Sequence, residues 1–267
     1  MDTTLASTET PSRVDAAGST VVIPQYGLRA ILAIWAAAAL PMATAAWLVT
    51  PLLADRFGGD GIVPMAKALY LSLTAGLVWQ FILVAILVRR EQGTLRWPTV
   101  RDALWLRSPK SPRSGRVGGR VWLVLIPLIV LFGAAHELVP AIAAPENRDF
   151  ANLVESDAGK EFLSGAWGWY GLILVSFLFN TVLGEELLFR GFLLPRMNGA
   201  FGRGDWVANG LLFTGYHLHV PWGMPGILLD MFLLAYPTKR YRSAWIGIAV
   251  HSAQSVVLAI LILTLVV

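Results

Sequence analysis

The chain has 267 residues, 56% of them hydrophobic and only 14% charged, with a net charge of +4 and a mean hydropathy of +0.62. Soluble domains carry about 25% charged residues, so a surface this poor in charge needs lipid as its main solvent. The lack of cysteine excludes disulfides, Cys-ligated zinc and a cysteine nucleophile. A nucleic-acid partner is excluded because the basic residues crowd loops beside apolar runs.

Residues 1–27 are polar and rich in Ser, Thr and Ala. They lack the charged start and apolar core of a cleaved signal, and read as a disordered tail. Runs long enough to cross about 30 Å of hydrocarbon follow at 28–53, 63–88, 121–144, 167–194 and 244–267. Two shorter runs, 206–218 and 226–236, are flanked by Pro221, Pro225 and Pro237, which predicts tilted or broken segments. The expected fold is an all-α polytopic transmembrane bundle of about seven spans, with six or eight as alternatives.

Loop charge sets the expected orientation, since Lys and Arg gather on the cytoplasmic side. The loop 89–120 carries Arg89, Arg90, Arg96, Arg101, Arg107, Lys110, Arg113, Arg116 and Arg120 against Glu91 and Asp102. The next loop is net acidic, with Glu146, Asp149, Glu155, Asp157 and Glu161. Arg196 with Arg203, and Lys239 with Arg240 and Arg242, mark two further inner turns. These assignments agree with seven spans and a cytoplasmic N-terminus. Residues 28–164 form the N-terminal helices with their basic loop, which could also touch anionic membrane lipids.

Ionisable groups inside a span are costly and are functional candidates by default. They gather late: Glu185, Glu186 and Arg190, then His217, then His251 with Ser255. Glu186 and Arg190, four residues apart, can pair on one helix face. Glu185 is rotated by about 100°, which leaves it for chemistry as a general base. Measured from the nearest inner turn, Glu185, His217 and His251 sit about 20, 18 and 12 Å along their helices, at comparable depth. His136 and His219 fall near the outer span ends and read as interfacial. Asp230, inside the short sixth run, points to a water-filled cavity or a re-entrant segment.

These residues carry a resemblance. Glu185-Glu186…Arg190, Phe213…His217 and His251…Ser255 resemble the EExxxR, FxxxH and HxxxN/D motifs of the CPBP family of intramembrane proteases, which includes type II CAAX prenyl endopeptidases and bacterial Abi proteins. The resemblance covers roughly 180–258 and implies a protease core at 165–267. It implies an endopeptidase in which Glu185 and His217 activate a water while His251 and Ser255 steady the oxyanion. By this resemblance its substrate would be a peptide or protein, lipidated as in eukaryotic relatives, and its expected location a bacterial plasma membrane. The family is often called metalloproteases, so a divalent metal such as zinc on Glu185, His217 and His251 is one possibility; a metal-free glutamate mechanism is equally compatible.

One departure stands out: the family's third motif ends in Asn or Asp, and this chain has Ser255. Ser255 or the neighbouring Gln254 could substitute; otherwise the protein is a weak protease or a membrane scaffold of the immunity type. A proton-coupled carrier using Asp230 is a further alternative, although no repeated half with matching broken helices is visible. HExxH and GxSxG are absent.

Overall fold

The computed structural model describes residues 21–267, so most of the expected N-terminal tail, residues 1–20, lies outside the described residues. Seven main helical segments run in order among the described residues: α1 (Leu28–Phe57), α2 (Ile62–Gln92), α3 (Gly119–Leu138), α4 (Trp167–Arg196), α5 (Asp205–Tyr216), α6 (224–241) and α7 (Ala244–Val266), with short helices at Trp97–Ala103, Phe150–Glu155, Asp157–Leu163 and Asn198–Phe201 between them. Among the described residues there is no strand. Five of the seven, all but α5 and α6, are long and apolar enough to cross a membrane.

The irregularities follow from the sequence. Pro41 and Pro51 lie in α1, with a π-helical turn at Ala45–Val49 between them. A proline frees a carbonyl that water would otherwise satisfy, and in hydrocarbon the protein must supply the partner. Four residues before Pro41, Ala37 O accepts from Trp79 Nε1 at 2.8 Å. α3 stops at Leu138, short of the expected Ala144, because Pro140 disfavours a helical preceding residue and Val139 is already off the helical backbone. α6 is broken, with Pro225 and Pro237 at helix starts and a π turn at Met231–Ala235, as its prolines predicted.

Both bundle ends are stitched by polar contacts. At one end, residues 21–27 run extended against the end of α4, where Tyr26 N–H donates to Arg196 O at 2.9 Å. The loop after α2 joins the α6–α7 turn through Ala244 N–H to Trp105 O and Lys110 N–H to Tyr241 O, each 2.9 Å. Lys239 pairs with Asp205 across the same end. The three basic segments therefore share one end of the bundle. At the other, Asn147 donates to Asp60 O at 2.8 Å and Arg148 to Ala46 O at 3.0 Å.

Arg196, expected only as a marker of sidedness, is fully buried. Its guanidinium grips Glu91 through two contacts of 2.7 and 2.5 Å and donates to Ala103 O and Phe192 O. Planar Arg–carboxylate geometry makes this pairing strong, and Tyr26 Oη donates to the same carboxylate at 2.8 Å. The Tyr26 hydroxyl is pushed up to about 12, first by burial and then by Glu91.

The main core joins Ala39 and Met42 of α1, Leu77 and Val84 of α2, Phe189 and Phe192 of α4, Phe213 of α5 and Ile248 of α7. Outward faces remain apolar, for example Ile126, Val130, Val256 and Ile260. An apolar exterior over a buried polar interior is the arrangement a bilayer requires.

Candidate active site

Glu185 and Glu186 sit between two π-helical stretches of α4, Phe179–Gly184 and Leu187–Leu193. Such bulges recur at functional sites because they re-aim side chains relative to a regular helix. Both glutamates and Arg190 are essentially inaccessible. Glu186 Oε1 lies 3.1 Å from Arg190 Nη1 and 3.1 Å from His251 Nδ1. The Arg190 contact is charge against charge, since none of its nitrogens meets hydrogen-bond geometry. The guanidinium lies 3.8 Å from the Phe213 ring centroid, a cation–π contact that adds to its support.

Glu185 faces elsewhere, as the expected rotation required. Its Oε2 lies 4.0 Å from His217 Nε2, too far for a hydrogen bond and wide enough for one bridging water. With its nitrogen turned toward the carboxylate, the orientation that satisfies both groups, the Asn180 amide donates to Glu185 at 2.8 and 3.2 Å. Gln80 Nε2 of α2 donates to the Tyr216 hydroxyl at 2.5 Å. His217 Nδ1 bonds Phe213 O at 2.7 Å. In the neutral ring that leaves Nε2 as the lone-pair nitrogen facing Glu185.

Glycine permits the close approach of α7. A Cβ at Gly247 would collide with Glu186 Oε2 and stand 3.2 Å from Arg190 Cγ. Only a residue without a side chain lets α7 lie against the buried ion pair.

The glutamate–histidine cluster opens into a cavity of about 630 Å3 lined by Glu185, His217, His219, His251, Gln254, His136 and Asp230. It runs outward to Asn147, Arg148 and Asp149, at the end opposite the basic segments. His136 and His219, expected to be interfacial, therefore belong to the cavity instead. His219 is carried inward because the chain leaves the helix after Tyr216, which lets residues two apart face one space.

The potential metal set changes accordingly. Among the described residues the group with metal-ligand spacing is Glu185, His217 and His219, whose ligand atoms lie within 4.8 Å of one another. His251, expected as the third ligand, is instead held through Nδ1 by Glu186. The set fits a metal: all three are buried, His219 Nδ1 has no hydrogen-bond partner, and one carboxylate with two imidazoles suits zinc with an open position.

Ser255 is half-buried and is not among the cavity-lining residues, whereas Gln254 and Leu258 are. Helical geometry explains it. Residues 254 and 258 fall about 60° and 20° to one side of His251, and residue 255 about 40° to the other. The amide at 254 therefore faces the space that the expected role assigned to the 255 hydroxyl. Gln254→Ala is expected to lower turnover by about 10-fold or more, the usual cost of losing an oxyanion donor. Ser255→Ala should change it by less than about 3-fold on the same scale. Parallel kcat measurements on the two variants decide, and the reverse order would restore Ser255.

Asn180, Tyr216 and Gln80 were not singled out from the sequence. The usable signal was a polar residue inside an apolar run, which Asn180 and Gln80 both present.

A buried pair of carboxylates, an arginine and four histidines thus gather round one cavity in a bundle of apolar helices. Residues 166–257, from the start of α4 into α7, match the family model described as Type II CAAX prenyl endopeptidase Rce1-like. This stretch is similar to a domain of the CAAX protease type, a family whose substrates are peptides or proteins. No curated protein and no solved structure shows a significant similarity to the chain.

Proposed function

We propose that this protein is an intramembrane endopeptidase that hydrolyses a peptide bond with a water activated by Glu185 and His217. The observation that supports it is the 4.0 Å gap between Glu185 Oε2 and His217 Nε2 at the wall of an open cavity, inside the matched domain. A water there meets two acceptors. Glu185 takes its proton as the oxygen attacks the scissile carbonyl carbon. His251, held by Glu186, presents its other nitrogen to the cavity and, when it carries both protons, donates to the oxyanion together with Gln254. The carbon–nitrogen bond then breaks, and Glu185 returns the proton to the leaving amine.

A zinc ion on Glu185, His217 and His219 would supply Lewis-acid polarisation of the water and carbonyl. Asn180 fixes the Glu185 carboxylate in either case. The substrate is proposed to be a lipidated peptide, and the membrane a bacterial plasma membrane. The test is cleavage of a farnesylated CAAX peptide by purified protein, with wild type and Glu185→Gln compared and metal content measured on the same samples. The absence of Ser255 from the cavity favours a second reading, a non-cleaving membrane scaffold; a folded wild-type protein that cleaves nothing would support it.

The basic end is proposed to be cytoplasmic. Single cysteines introduced at Ser111 and Ser156 should respond differently to an impermeant maleimide on intact cells. The cysteine at 156 is expected to label and that at 111 to stay protected. The opposite pattern inverts the topology.

A further inference from the structure

The catalytic cavity contains a second histidine–carboxylate pair built like the first. Phe132-Gly133-Ala134-Ala135-His136 of α3 repeats the spacing of Phe213-Thr214-Gly215-Tyr216-His217 in α5. In both, histidine Nδ1 bonds the carbonyl of the phenylalanine four residues earlier, at 3.0 Å for His136 and 2.7 Å for His217. Both phenylalanine rings pack against their own histidine, with centroids 4.4 and 4.7 Å apart. Each Nε2 then faces a buried carboxylate across a gap, Asp230 Oδ1 at 3.8 Å and Glu185 Oε2 at 4.0 Å. His251 stands between the two, its ring 6.0 Å from Phe132 and 6.3 Å from Phe213.

The second pair lies on helices unlike those of the first: α3 precedes the matched domain, and Asp230 comes from the broken α6. Asp230 is 2% exposed, yet its Oδ1 has no hydrogen-bond partner. A buried oxygen left without a donor is costly, and this one lines the cavity beside a histidine nitrogen that is itself an acceptor when Nδ1 holds the proton. Two acceptors 3.8 Å apart suit one nitrogen bearing hydrogens, placed between them.

We infer that His136 and Asp230 form the subsite for the scissile nitrogen, sharing its single peptide N–H as a bifurcated hydrogen bond and then accepting one hydrogen each from the amine it becomes. This rests on the endopeptidase reading above. The balance is simple. Water gives one proton to Glu185 and its hydroxyl to the carbonyl carbon, the C–N bond breaks, and the Glu185 proton goes to nitrogen. His136 and Asp230 exchange no proton. They hold the nitrogen so that its lone pair faces Glu185 as its N–H faces them.

The test uses a farnesylated CAAX peptide and its depsipeptide analogue, in which the scissile N–H is replaced by oxygen. His136→Phe keeps the ring and removes both nitrogens; Asp230→Leu removes the acceptor. On the peptide, each is expected to lower kcat about 10- to 100-fold, the scale of a deleted buried hydrogen bond, with KM nearly unchanged. On the ester, which offers no N–H, each should stay within about 3-fold of wild type. Asp230→Asn, which keeps an acceptor oxygen, should retain most peptide activity. If Asp230→Leu fails to fold, His136→Phe, whose side chain is 23% exposed, carries the test. Equal losses on peptide and ester, or no loss on the peptide, overturn the inference while leaving the endopeptidase reading intact. A wild type that cleaves neither substrate overturns both.

Discussion

Glu185→Gln is expected to lower kcat on a prenylated peptide by about 10²- to 10⁴-fold, the range for loss of a general base, while leaving the thermal midpoint nearly unchanged. Glutamine matches glutamate in shape, and its amide can still turn an oxygen toward Asn180, which now donates at 2.8 and 3.2 Å. The neighbouring ion pair is untouched, because Arg190 contacts Glu186. What is lost is the capacity to take a proton from water. Cleavage kinetics and a melting curve on the same preparation check both halves. Turnover within about 3-fold of wild type, set against that range, would remove Glu185 from the chemistry.

Glu186→Gln should show the opposite balance. Its carboxylate is the anion facing Arg190 Nη1 at 3.1 Å, and neither side chain is exposed. Removing one charge of a buried pair leaves the other uncompensated, at a cost of about 3–5 kcal/mol. The Phe213 face supplies part of the remaining support for the guanidinium. His251 also loses the carboxylate on its Nδ1, so activity should fall along with stability. The double variant Glu186→Gln/Arg190→Met should regain much of the lost stability, because the orphan charge is gone. Equal melting points for wild type and Glu186→Gln would show that the pair contributes nothing to the fold.

Which of the two glutamates faces Arg190 could be read from spacing alone. One arginine four residues from Glu186 can serve only one of two carboxylates that point about 100° apart, and the structure has that arrangement. The grouping of the basic segments was also legible, because the three come together at one end of the bundle. The fate of Arg196 was not. A basic residue near a span end looks the same whether it marks topology or reaches Glu91 from a distant helix.

The histidines show where a one-dimensional reading ends. Their depth along a helix could be counted, and it brought His217 and His251 to one level. His219 and His136 were misplaced because counting assumes a continuing helix and a straight wall. The chain leaves α5 at His217, which swings His219 inward beside Glu185. α3 packs so that His136 meets Asp230 of α6, a residue 94 positions later in the numbering of the chain.

By itself the sequence determined a helical membrane bundle, the shared end of its basic loops, and the Glu, Arg and His residues of one site, because hydrophobic runs, charge placement and i, i+4 spacing are local properties. Tertiary structure alone decided which partner each buried group meets: Asn180 on Glu185, Glu186 on His251, Gln254 rather than Ser255 at the cavity, and Asp230 before His136. Those pairings depend on how broken helices rotate and cross, and a buried polar group takes its partner from whichever helix that packing brings within reach.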